Sequence, residues 1–111
     1  MKNTIVNING VPTVQVSDPT ELDQFVLIDV RRPDEYTGEL GHIKGAKLVT
    51  LGPDLDTYLS SGNKNDKILF ICRSGMRSAN ATLSALNLGY QNVFNMEGGM
   101  LLWNQKNFPT V

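Results

Sequence analysis

The chain contains a single cysteine, Cys72, in the stretch ICRSGMRSAN, and two arginines follow it closely. Arg73 comes directly after the cysteine, and Arg77 follows with Gly75 between them. The reactive form of a cysteine is the thiolate, which nearby cations, backbone N–H groups and a helix N-terminus all favour. This composition therefore indicates an activated nucleophile that attracts an anionic substrate. A free cysteine elsewhere is usually a buried packing residue, so the surrounding elements decide between the two interpretations.

The elements around this stretch predict an α/β fold. Two continuous apolar runs, FVLIDV at 25–30 and KILFIC at 67–72, indicate strands that are covered on both faces, as in a parallel sheet. Weaker strand candidates lie at 13–17, 46–51 and 92–96. Helices are predicted at 33–40, 52–61, 78–88 and 99–105, with Asp18 as the N-cap of a further one. We expect one domain over residues 1–111, with a central parallel sheet of about five strands and helices on both faces.

This architecture places Cys72 where α/β proteins bind ligands. Ligands in such sheets lie beyond the carboxyl ends of the strands, and Cys72 ends the most apolar strand. Gly75 permits a tight turn before the best helix. Backbone N–H groups of such a turn can converge on an anion, and the helix dipole adds positive charge. We predict Cys72 as the catalytic residue and the following six residues as substrate-binding: Arg73, Ser74, Gly75, Met76, Arg77 and Ser78.

Composition excludes several other classes of function. The formal net charge is −1, which favours neither nucleic acid nor an anionic membrane as a partner. One cysteine cannot form an internal disulfide, which fits a reducing compartment. We expect no signal peptide at the N-terminus, which lacks a long apolar core, and no apolar run approaches the length of a membrane span. We therefore expect a cytoplasmic protein, and the predicted chemistry requires no metal or cofactor.

The length of the loop separates two kinds of anion chemistry. Tyrosine-phosphatase-like enzymes place an arginine six residues after the cysteine, to surround the oxygens of a phosphate. Here that position is Ser78, and the arginine stands one residue earlier, at Arg77. A tighter cradle favours a smaller guest, such as one outer sulfur carried on Cys72 as a persulfide. A phosphatase or an arsenate reductase stays an alternative, which the short loop and the lack of a second cysteine disfavour.

Three motifs in order resemble the rhodanese family of sulfurtransferases in its single-domain form. They are LIDVRRPDEYTGELGHIKGA at 27–46, ILFICRSGMRSANA at 68–81 and NMEGGMLLWNQKNFPT at 95–110. The resemblance implies a three-layer rhodanese fold and a Cys72 that carries sulfur from thiosulfate or polysulfide to a thiol or to cyanide. The six-residue loop from Cys72 to Arg77 is the length associated with sulfur transfer in that family. A carrier module that delivers sulfur to a protein partner is a second interpretation.

Four further residues receive structural predictions. Asp29 interrupts an apolar strand and is expected to anchor a neighbouring loop. Arg31 and Glu35 are expected to form a structural ion pair with each other. His42, the one histidine, is expected to be a turn residue rather than part of a Cys–His dyad. Other predictions are a core position for Trp103 and a backbone role for the 97–99 segment at the rim of the site.

Overall fold

The computed structural model describes residues 3–111, which form six strands and four α-helices. The strands are β1 (Thr4–Ile8), β2 (Val11–Gln15), β3 (Val26–Asp29), β4 (Lys47–Leu48), β5 (Ile68–Ile71) and β6 (Val93–Met96). The helices are α1 (Pro33–Tyr36), α2 (Pro53–Ser61), α3 (Met76–Asn87) and α4 (Gly99–Gln105), with a short 3-10 helix at Pro19–Glu21. Within residues 3–111, no helix has the length and apolarity needed to cross a membrane.

The strands form one sheet in the order β1-β2-β6-β5-β3-β4, and five of them run parallel. The five predicted strands are these five. The sixth strand, β1, pairs antiparallel with β2, and the expectation of about five strands missed it. Asn9 and Gly10 join the two strands, and both have positive φ, 52° and 84°. An Asn-Gly pair is a strong sequence signal for such a hairpin turn, so β1 was predictable.

Two apolar cores cover the two faces of the sheet. All four residues of β5 are buried, and alternate side chains enter different cores. Ile68 and Phe70 pack with buried residues of α2 and α3, whereas Leu69 and Ile71 pack with the α4 residues Met100 and Trp103. The continuous apolarity of the strand therefore has the predicted cause, a helical layer on each side. Trp103 lies in the core, as predicted.

Helix boundaries differ from the prediction at two places that matter for the site. Helix α3 begins at Met76, two residues before the predicted start at 78, because Gly75 is its N-cap, with a left-handed φ of 104°. Arg77 is therefore a residue of the first helical turn rather than of the loop. Helix α1 ends at Tyr36 instead of reaching 40. Asp18 caps the 3-10 helix by accepting a hydrogen bond from the backbone N–H of Thr20.

Candidate active site

The Cys72 thiol lies at the carboxyl end of the central strand β5 and is completely buried. Its Sγ accepts a hydrogen bond from the backbone N–H of Gly75 at 3.1 Å, and Ser78 Oγ lies 3.2 Å away. Both groups belong to the segment that follows the cysteine, which turns back around the sulfur. The structure thus brings together three of the predicted site residues, Cys72, Gly75 and Ser78.

Helix α4 supports this turn through backbone contacts. The N–H groups of Met100 and Leu101 donate to the carbonyl oxygens of Cys72 and Arg73, at 2.8 and 2.9 Å. These two bonds fasten the first residues of the loop to the start of α4. Gly99 has a φ of 57°, and a Cβ there would lie 2.5 Å from both carbonyl oxygens. Only glycine permits this approach, which explains the predicted backbone role of the segment before α4.

Arg77 points to helix α1 and forms a two-point ion pair with Glu35. Its Nη1 and Nη2 donate to the two carboxylate oxygens at 2.7 and 2.8 Å. The hydrogen bond from Arg77, more than any other contact, lowers the pKa of Glu35 to about 2, and the same bond raises the pKa of Arg77. Glu35 also accepts the backbone N–H of Arg32 at the start of α1. This pair joins α1 to the first turn of α3.

The expected ion pair between Arg31 and Glu35 is wrong. Arg31 instead binds Asp29, through its Nε at 2.9 Å and its Nη2 at 2.8 Å, and both side chains are completely buried. The backbone N–H of Arg31 also donates to Asp29, so a local turn after β3 keeps the two residues together. Arg31 Nη2 reaches the carbonyl oxygen of Gly41 at 2.8 Å. Asp29 therefore anchors a neighbouring loop as predicted, and Arg31 connects the two.

The other predicted loop residues form the rim. Arg73, Ser74 and Met76 are exposed, and Met76 is 76% accessible. A groove of about 450 Å³ adjoins the loop, with apolar and uncharged polar residues as its main lining: Ile8, Asn9, Val11, Thr13, Ser74, Gly75, Met76, Ala79, Asn80, Leu83, Asn95, Glu97 and Gly98. The loop is thus open to solvent on the side that this groove occupies.

His42 contacts groups other than the thiol. Its Nδ1 lies 2.9 Å from the carbonyl oxygen of Tyr36, and its ring stacks on the Tyr36 ring at a centroid distance of 3.7 Å. Its backbone exchanges two hydrogen bonds with Val111. These contacts agree with the predicted role as a turn residue.

One buried residue of the site, Asn95, was missed. It lies on β6, where its Nδ2 donates to the carbonyl oxygen of Gly75 at 3.1 Å and its Oδ1 accepts from the Ser78 hydroxyl. The sequence carried a signal, because Asn95 shares the inward face of NVFNM with the buried Val93. A polar side chain at such a position needs hydrogen-bond partners inside the protein.

Comparisons with known proteins agree with this fold and loop. The family model for the rhodanese-like domain matches residues 13–106. The putative sulfurtransferase YtwF of Bacillus subtilis is 35% identical, over 94% of this chain and 98% of the relative. Thiosulfate sulfurtransferase 18 of Arabidopsis thaliana is 36% identical, over 89% of this chain and 82% of the relative. The crystal structure of a rhodanese-related protein from Thermoplasma volcanium matches with a TM-score of 0.77 and 27% identity, covering 89% of this chain and 96% of that one.

A buried cysteine at the end of a central parallel strand, held by a short turn before a helix, defines the class: an α/β protein with a cysteine in the loop between a central strand and a helix. The chain belongs to the rhodanese-like domain family, and its sheet with helices on both faces is a rhodanese-like fold. Relatives in this family carry names that refer to sulfur transfer.

Proposed function

We propose that this protein is a sulfurtransferase that moves sulfane sulfur from thiosulfate or polysulfide to a thiol or cyanide, through a persulfide on Cys72. The observation that carries the proposal is the buried Cys72 Sγ, which accepts the backbone N–H of Gly75 at 3.1 Å at the start of the six-residue segment from Cys72 to Arg77. Donors arranged around a sulfur stabilise negative charge on it without reorganisation during the reaction. The name of the Arabidopsis relative supports thiosulfate as the donor.

In the first half-reaction, the Cys72 thiolate attacks the outer sulfur of thiosulfate. A bond forms between Sγ and that sulfur while the sulfur–sulfur bond of thiosulfate breaks, and its electron pair leaves on sulfite. Total charge is conserved, because a thiolate and a dianion become a persulfide anion and a dianion. Arg73, which is exposed beside the cysteine, is available to bind the sulfonate group of the donor.

In the second half-reaction, an acceptor thiolate or cyanide attacks the outer sulfur of the Cys72 persulfide. The new bond forms to the acceptor, and the electron pair of the broken sulfur–sulfur bond returns to Cys72 as the thiolate. Splitting the transfer in this way is covalent catalysis, and it predicts ping-pong kinetics. No proton has to be moved by the protein, so no general base is needed.

The remaining loop residues receive supporting roles in the proposal. Backbone N–H groups of residues 73–78 hold the anionic outer sulfur, Ser74 supplies a hydroxyl group, and Ser78 Oγ lies beside Sγ at 3.2 Å. Arg77 gives positive charge to the same end of α3, although Glu35 already binds both of its terminal nitrogens. The lone thiol fits a reducing compartment such as the cytoplasm, where a cysteine stays available for this chemistry.

A second function from a different class is delivery of the sulfur to a protein partner. The observation that favours it is the open groove beside the loop, where Met76 is 76% accessible. The exposed apolar residues Ile8, Met76 and Leu83 line this groove together, and contiguous exposed apolar surface is typical of interaction sites. Multiple turnover with small thiols or cyanide favours the enzyme, whereas a stable persulfide that small acceptors do not discharge favours the carrier.

The decisive experiment is intact-mass spectrometry of the reduced protein with thiosulfate alone. We expect a gain of one sulfur atom and no more, because Cys72 is the only thiol. Cyanide should then restore the original mass and release an equal amount of thiocyanate. Cys72→Ser should fold like the wild type and show no gain in mass, since a serine hydroxyl does not ionise enough to replace the thiolate.

The rival phosphatase interpretation is tested on the same preparation with a phenyl phosphate. Hydrolysis that depends on Cys72, together with no mass gain from thiosulfate or polysulfide, would mean that the loop-length argument is wrong.

A further inference from the structure

The Ser78 hydroxyl has one proton and two acceptors within reach. Its Oγ lies 3.2 Å from Cys72 Sγ and within hydrogen-bonding distance of Asn95 Oδ1. Cys72 and Ser78 are completely buried and Asn95 is 8% exposed, so bulk water has little access to either bond. The hydroxyl can donate to the sulfur or to the amide, but not to both at once.

The orientation of the Asn95 amide decides which acceptor receives the proton. Its Nδ2 donates to the carbonyl oxygen of Gly75 at 3.1 Å, which fixes Oδ1 toward Ser78. Oδ1 carries no proton, so the Ser78 hydroxyl must donate to it. A lone pair of Ser78 Oγ then faces the sulfur. When Cys72 is protonated, its S–H can donate to Ser78 Oγ and complete this series of hydrogen bonds. When Cys72 is a thiolate, it faces an oxygen lone pair instead.

We propose that Asn95 is a positioning residue that keeps the Ser78 proton away from Cys72, so that the thiolate is less stabilised and more nucleophilic. Asn95 contacts both residues that approach the sulfur, since its Nδ2 donates to the Gly75 carbonyl oxygen and its Oδ1 accepts from the Ser78 hydroxyl. The importance of this control for catalysis rests on the proposed sulfur transfer. The proposal about Asn95 is tested by alkylation of the Cys72 thiol, which does not require sulfur transfer. A negative result in that test is therefore distinct from a failure of the protein to form a persulfide.

The charged groups around Cys72, Ser78 and Asn95 stay the same when Asn95 is replaced. They are the pairs that Arg77 forms with Glu35 and Arg31 with Asp29, the exposed Arg73 beside the cysteine, and Glu97, which follows β6 and contacts Gln15. A change in the pH dependence of the thiol on substitution of Asn95 therefore reports the hydrogen bonds rather than a change of charge.

The test is the pH profile of Cys72 alkylation by iodoacetamide in Asn95→Leu. The freed Ser78 hydroxyl can donate to the thiolate, so the pH of half-maximal rate should fall by about one unit. The alkaline plateau rate should fall about threefold, because a more stable thiolate is a weaker nucleophile. A merely structural role predicts the opposite direction, since a loosened loop loses the Gly75 donor. A midpoint that rises or does not move overturns the proposal.

Two further variants make the test specific. In a Ser78→Ala background, Asn95→Leu should no longer shift the pH of half-maximal alkylation, because no hydroxyl is left to redirect. A shift of equal size in that background would contradict the proposal. Asn80→Leu is the matched control, since Asn80 is an exposed asparagine that lines the groove beside the loop together with Asn95. The pH of half-maximal alkylation in this variant should match that of the wild type. Thermal unfolding checks that each variant is folded. Asn95→Val, a smaller strand-forming replacement, carries the same test if the leucine variant does not fold.

Discussion

Two carboxylate–arginine pairs lie next to the cysteine loop, and they differ in burial and in what they connect. Asp29 and Arg31 are two residues apart and completely buried, and Asp29 lies beside Ile71 in the sheet register. Glu35 and Arg77 are 42 residues apart, with side chains that are 15% and 33% exposed. Both pairs use two hydrogen bonds, so geometry alone does not distinguish them.

The difference shows which pair is structural and which one can take part in function. Removing one partner of the buried pair leaves an uncompensated charge that water cannot reach, which is costly. The Glu35–Arg77 pair keeps a path to solvent, so either charge can be hydrated, or can meet a ligand, at small cost. A site that binds an anionic ligand needs a cation that the ligand can reach, as Arg77 can be reached. It also needs a rigid scaffold, which a buried pair such as Asp29–Arg31 provides.

The largest effect is expected for the buried pair. Arg31→Met should lower the free energy of unfolding by about 3–5 kcal/mol, because Asp29 then stays buried without a partner. Urea unfolding monitored by Trp103 fluorescence measures the loss. The double variant Asp29→Leu with Arg31→Met should recover most of it, since no unpaired charge remains. A single variant within about 1 kcal/mol of the wild type would show that water reaches Asp29 and that the two pairs do not differ as argued.

Much of the fold followed from the sequence because its signals were local. The unbroken apolarity of β5 predicted burial on both faces, and α4 was predicted at its observed bounds, Gly99–Gln105. The start of α3 was placed too late because Ser78 resembles an N-cap, whereas the chain uses the positive φ of Gly75. Strand β1 was missed although Asn9 and Gly10 marked the hairpin.

The site was predictable where neighbours in sequence carry it and not where distant segments meet. Cys72, Gly75 and Ser78 lie in one short stretch, so their proximity followed from the turn. The partner of Glu35 could not be read in this way, because Arg77 lies on a different helix and Arg31 was the nearer candidate in sequence. Asn95 contacts the loop from β6, and only the pairing of β6 with β5, in which Asn95 lies opposite Phe70, brings it to Gly75.

An intermediate effect is expected for the arginine of the more exposed pair. Arg77→Met should slow persulfide formation from thiosulfate about tenfold more than formation from a neutral organic trisulfide, because its proposed role is to attract negative charge. Stopped-flow or quenched single-turnover measurements give both rates. Lys67→Met is the control, since Lys67 precedes β5 at the end of the strand opposite Cys72 and its Nζ donates to Gln24. Equal losses with both donors would assign Arg77 to positioning of α3 instead.

The smallest effect is expected for the stability that Glu35 contributes, and it should depend on pH in a defined direction. Arg77 lowers the pKa of Glu35 in the folded protein to about 2, from an ordinary value of 4.5. The folded state therefore favours the ionised carboxylate, and the stabilisation is complete above about pH 4.5 and is lost as the pH falls toward 2. Because the pair is partly open to solvent, we expect about 1 kcal/mol rather than the full value that the pKa difference implies. The difference in unfolding free energy between the wild type and Glu35→Gln should thus be present at pH 7 and absent near pH 2.

Glu39→Gln, an exposed replacement on the turn after α1, should show little difference in unfolding free energy from the wild type at either pH. A Glu35→Gln deficit that persists unchanged at low pH would mean that packing of the side chain, and not its charge, joins α1 to α3.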